Sequence, residues 1–180
     1  GLNNQMKPTS DEPVTLRFGD FDDNGSVDPV LSYYVQHKSH PYAGLDELAS
    51  QLPAVRKKYN SYAAYAQASD SIFFTEELRS ESKLLTATTF ESLILINEGQ
   101  IFNVKKLPVQ AQFATIFSMV PVDIDEDGHL DLITAGNLSS TRVRSGKLTG
   151  NSGFIFKGDG KGNFSFAPPS RSGLQLGTAD

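Results

Sequence analysis

The chain has 180 residues, no cysteine, a net charge of −5 and a pI near 5.2. That length suffices for one ordinary domain or two small ones with a real core, and the lack of cysteine excludes disulfides, thiolate zinc sites, iron–sulfur clusters and cysteine nucleophiles. An acidic chain whose longest basic run is Arg56-Lys57-Lys58 lacks the basic face of a nucleic-acid binder, and no stretch approaches the roughly 20 apolar residues of a membrane span.

Residues 1–12 carry neither the basic n-region nor the apolar h-region of a signal peptide and read as a flexible leading segment. Gly1 in place of an initiator Met, and the ending GLQLGTAD, are expected of a piece of a longer protein. From Pro13 the pattern changes. RFGDFDDNGSVDPVLSYY, residues 17–34, reads as strand, acidic loop, strand. The stretch from about 37 to 88 then reads as a helical insertion: Leu45, Leu48, Leu52, Val55, Tyr59 and Tyr62 recur at alternating spacings of three and four, the seam of an amphipathic helix. Pro53 predicts a kink or a break, because its missing N–H removes a backbone bond. Thr75 is placed to cap a second short helix running through Leu78 to about Leu84, with Glu76 and Glu77 at its positive end.

His37 and His40, in HKSHPY, are read as part of a solvated loop rather than as paired ligands. Tyr33, Tyr34, Tyr42, Tyr59, Tyr62 and Tyr65 gather in and around the insertion. They are expected chiefly in the core, with a platform for a sugar or peptide as the sharper alternative. Arg142, Arg144 and Lys147 of STRVRSGKLTG could add polar contacts to such a ligand.

Two further segments read as β-hairpins, SLILINEGQIFNVKKLP (92–108) and GFIFKGDGKGNFSFAPP (153–169), with Asn97-Glu98-Gly99 and Asp159-Gly160 at their tips. Between them VPVDIDEDGHLDLITAGN, residues 120–137, repeats the earlier acidic loop 103 positions later. The chain therefore reads as two units of strand, acidic loop, strand, then strand, glycine turn, strand. Unit boundaries fall at 13–108, with the insertion at about 37–88, and at 109–180, ending in the start of a following strand. The fold expected is mainly β with a helical insertion, two four-stranded antiparallel blades.

Oxygen-rich loops of this spacing suit calcium, which takes about six to eight oxygens. Positions one, three and five offer side chains, position six is glycine for the turn, position seven gives its carbonyl and position nine closes the site. The first loop supplies Asp20, Asp22, Asn24, the Ser26 carbonyl and Asp28 around Gly25; the second supplies Asp123, Asp125, Asp127, the His129 carbonyl and Asp131 around Gly128. Asp23 and Glu126 should face solvent. Position twelve is Leu31 or Thr134, not the bidentate glutamate of an EF-hand, and the flanks read as strand. Two Ca²⁺ sites are expected. The alternative is that DDNGS and DEDGH are plain polar turns.

GDFDDNGSVDPVL and VDIDEDGHLDLITAGN resemble FG-GAP or VCBS repeats, the calcium-loop blades of integrin α-like β-propellers. The second hairpin and HPYAGLDELASQLPAVRKKY resemble the C-terminal region of bacterial ASPIC/UnbV-type proteins, relatives of the cartilage acidic proteins. The resemblance implies one propeller blade per unit, calcium in both loops, and an exported parent that is periplasmic, extracellular or at the outer surface. Phe18-Gly19 matches the FG signature, yet no Gly-Ala-Pro follows. Two blades cannot close a propeller, so exposed edges could pair with another copy.

The function expected is a non-enzymatic binding or structural module with a glycan or protein ligand. A polysaccharide lyase or hydrolase, using carboxylates as acid and base, and an assembly module acting through the helices are the alternatives.

Overall fold

The structure is a computed structural model and describes residues 2–70, 74–141, 146–174 and 176. It is mainly β, with three antiparallel sheets and a few short helices. The chain divides into two compact units, one at Met6–Thr89 and one running from Phe90 onward that also takes in the segment up to Gln5.

In the unit at 6–89, β1 (Val14–Gly19), β2 (Asp28–Val35), β3 (Lys38–Pro41) and β4 (Lys83–Ala87) form one sheet in the order β3-β2-β1-β4. Between β3 and β4 lie α1 (Leu45–Gln51), α2 (Ala54–Lys58), α3 (Tyr62–Tyr65) and α4 (Glu76–Ser80). The predicted seam is where this unit keeps its core. Leu45, Leu48, Leu52, Val55 and Tyr59 are buried with Val30, Ala68 and Phe74, each large side chain contributing about 1.5–3 kcal/mol by leaving water. Tyr62, the last residue of the seam, is exposed. The break falls at Leu52-Pro53, and the Thr75 hydroxyl accepts from the Leu78 N–H as a cap.

The insertion is thus helical only in part. Residues 38–41 and 83–87 are strands, and α4 ends at Ser80 rather than near Leu84. Gln36 and His37 both have positive φ, 50° and 63°, and turn β2 directly back into β3 with Val35 opposite Lys38. That pair has the backbone of a primed hairpin turn without the asparagine or glycine that would announce it.

In the unit from Phe90 onward, β5 (Leu93–Asn97) and β6 (Phe102–Lys106) form the predicted hairpin. This hairpin is a sheet of its own and does not complete the first sheet, where β3 and β4 flank β2 and β1. After a 3-10 turn at Val109–Gln112, β7 (Ser118–Val122), β8 (Asp131–Ala135), β9 (Phe154–Gly158) and β10 (Phe164–Ala167) form a four-stranded meander, followed by the short α5 (Pro169–Ser172). Leu107, Ala111, Leu132, Phe154 and Phe156 are its buried core, with Phe154, Phe156 and Phe166 in mutual ring contact at centroid distances of 5.2–6.3 Å. The backbone N–H of Leu2 donates to the Gln112 carbonyl, attaching the N-terminal segment.

Candidate metal centres

Each acidic loop joins two adjacent antiparallel strands, β1 to β2 and β7 to β8. The registers correspond: Gly19 faces Asp28, and Val122 faces Asp131. The position-one aspartate then folds the loop. Asp20 accepts from the N–H groups of Asn24 and Gly25 at 3.0 and 2.8 Å, and Asp123 from those of Asp127 and Gly128 at 3.2 and 2.9 Å. The position-five side chain closes a smaller ring, Asn24 Oδ1 to Ser26 N–H and Asp127 Oδ1 to His129 N–H. Position nine reaches back, with Asp28 Oδ2 accepting from Phe21 and Asp131 Oδ2 from Ile124.

Backbone dihedrals agree as closely. Gly25 and Gly128 sit at φ 81° and 85°, where a side chain would be strained. Asp23 and Glu126 sit at 56° and 59°, exposed as expected. One short sequence pattern has produced one loop conformation twice.

The consequence is convergence of charge. Asp20, Asp22 and Asp28 bring carboxylate oxygens within 4.8 Å of one another, as do Asp123, Asp125 and Asp131. Two unit charges about 4 Å apart repel by roughly 4 kcal/mol at a protein surface, so each trio is a set of hard oxygen donors that can hold a metal ion. Asp22 Oδ1 is shielded from solvent and has no hydrogen-bond partner among the described residues, an acceptor that a cation would satisfy. Asp127 is not part of the second trio; its Oδ1 accepts from the His129 N–H.

The two position-nine acids are buried. Asp28 is 3 % exposed and Asp131 0 %. Asp131 is the more tightly held, because its Oδ1 also accepts from the Gly158 N–H at 2.9 Å. Gly158 permits that approach: a Cβ there would lie 2.2 Å from the Leu130 carbonyl oxygen. Lys157, beside it, forms an ion pair with Asp125. Its hydrogen bond holds the Asp125 carboxyl below the usual carboxylate range, and the same bond holds the ammonium above its own. No local pattern signals this lysine's role, since it lies 32 residues from its partner.

The remaining candidates are dispersed. His37 Nδ1 lies 2.5 Å from Glu12, while His40 Nδ1 lies 2.6 Å from the Ala68 carbonyl, so each histidine has its own partner. Tyr59 is buried, Tyr65 packs on it edge-on, and Tyr33 meets Tyr42. His129 and Lys147 are exposed; Arg142 and Arg144 lie outside the described residues. No helix among the described residues is long and apolar enough to cross a membrane. No family model, curated protein or solved structure matches the chain.

Proposed function

We propose that the chain is a calcium-braced β-sheet segment of an exported or cell-surface protein, a module that binds a glycan or protein ligand and turns over no substrate. The observation that carries this reading is the duplicated loop, with the same four kinds of backbone bond and a converging acid trio in each copy. Calcium would be held by Asp20, Asp22 and Asp28 with Asn24 and the Ser26 carbonyl, and by Asp123, Asp125 and Asp131 with Asp127 and the His129 carbonyl. What the ion supplies is relief of carboxylate repulsion, so that its binding energy becomes stability of the strand pair. Extracellular calcium modules have affinities of about 10⁻⁴ to 10⁻³ M, which suits this setting. The likeness to FG-GAP and VCBS repeats, and the four-stranded meander built around the acidic loop at 123–131, support reading that sheet as a propeller-type blade.

The test is calorimetric titration with calcium and thermal unfolding in calcium against EDTA. Two sites are expected, with about 2.7 kcal/mol of added stability at each when calcium is a hundred times its Kd. Asp22→Asn should remove one site and Asp125→Asn the other. Identical unfolding in calcium and EDTA would overturn the proposal.

A further inference from the structure

In the unit at 6–89 a cleft of about 580 Å³ opens between β2–β3 and the segment around residues 67–70, with α4 at its side. It lies within the roughly 300–1,000 Å³ range of small-molecule sites. Its walls include Tyr34, Lys38, Ser39, Gln67, Asp70 and Arg79, and three chemistries meet there: an aromatic ring from Tyr34, an acid from Asp70, and cations from Lys38 and Arg79. None of these residues belongs to either metal trio.

The walls are braced before any ligand arrives. His40 bonds the Ala68 carbonyl, and the Arg79 guanidinium donates to the carbonyls of Phe74 and Asp70, both at 3.1 Å. Those two bonds leave further N–H donors on the guanidinium. Asp70 Oδ1, by contrast, is shielded from solvent and has no hydrogen-bond partner among the described residues. A shielded, unsatisfied acceptor is costly.

We propose that this cleft binds a neutral saccharide. An anionic ligand would meet Asp70 and a cationic one Lys38 and Arg79, whereas a hydroxyl both donates and accepts. Neighbouring hydroxyls of a sugar can donate to Asp70 and accept from Arg79 while Gln67 and Ser39 add neutral partners. Tyr34 adds an aromatic ring to the wall, the kind of surface on which the apolar side of a sugar packs. The inference names the ligand class for the binding role proposed above and rests on that role, while standing independently of the metal.

Amide chemical shifts of the calcium-saturated full chain, followed during titration with D-glucose, D-galactose, D-mannose and N-acetylglucosamine, test it. Saturable shifts at Tyr34, Ser39 and Gln67 with at least one sugar are expected. Asp70→Ala should weaken that binding at least about tenfold, as should Tyr34→Ala, which carries the test if the first variant fails to fold. No saturable shift with any of the four sugars, shifts confined to other surfaces, or unchanged affinity in the folded variants would overturn the proposal. So would tighter binding of inorganic phosphate at the same residues. Sugar silence alongside calcium stabilisation would defeat this inference and leave the metal reading standing. Sugar shifts at the cleft without calcium stabilisation would support this inference and defeat the metal reading.

Discussion

In the loop at 20–28 the third-position carboxylate, Asp22, holds an oxygen out of solvent with no donor among the described residues, whereas in the loop at 123–131 its counterpart Asp125 is paired with Lys157. The fifth positions differ in the compensating direction: Asn24 is neutral and Asp127 is charged. Both side chains nevertheless accept the same backbone N–H two residues on. Loop shape and loop charge are therefore set by different atoms. Shape follows from side-chain acceptors placed against backbone amides and from glycine at position six. Charge follows from which acids are left unpaired, and a lysine from a neighbouring strand can offset the additional aspartate of the second loop.

The largest difference should lie at position nine. Asp131→Ala strands the N–H groups of both Ile124 and Gly158, while Asp28→Ala strands that of Phe21. At up to about 1–3 kcal/mol for each donor left unsatisfied, the first substitution should cost at most roughly 2–6 kcal/mol and the second about half as much. Urea unfolding in EDTA, with hydrogen exchange to identify which unit has opened, measures both. Equal costs would mean that the Gly158 bond adds nothing and that the two loops are anchored alike.

Next in size is the exchange of charge between the loops. Asn24→Asp copies an arrangement that the chain already builds at Asp127, so the turn should persist while the first loop gains a charge. Lys157→Gln releases Asp125 and should tighten calcium at the second loop. Exposed ion pairs are worth about 0.2–1 kcal/mol, so each change should raise affinity no more than about fivefold. If Lys157→Gln weakens calcium instead, the lysine is organising the site rather than competing for it.

The loops were legible in the sequence because their signal is local: the backbone bonds that the two loops share span seven residues or fewer. The seam from Leu45 to Tyr59 and the Thr75 cap were legible for the same reason. What could not be read depended on distance or on unmarked turns. Gln36-His37 adopts its turn without glycine or asparagine, which hid β3. Leu84 and Leu85 extend a helix and begin a strand equally well on pattern alone, which hid β4. The Lys157–Asp125 pair and the cleft around Asp70 and Arg79 arise only when separate elements are brought together. No periodicity announces them.

The smallest expected effect is also the control for the whole comparison. Asp159, at the tip between β9 and β10, accepts from the backbone N–H groups of Lys161 and Asn163 and from the Asn163 side chain at 2.8, 2.9 and 2.6 Å. These bonds, that of the Asn163 side chain foremost, hold its carboxyl down at about 2, from an ordinary 3.8. Because the folded value is depressed, the contribution to stability is present above 3.8 and is lost as pH falls through about 2. Full exposure keeps that contribution small. Asp159 is thus an acid satisfied by neutral donors, with no need of a cation. Carboxyl resonances followed by NMR should show it titrating near 2 with or without calcium, and Asn163→Ala should return it toward 3.8. The carboxyl resonances of the two trios should instead shift when calcium is added. Were Asp159 to move with calcium as they do, the metal effect would be general to acidic turns, and the two loops would lose their distinction.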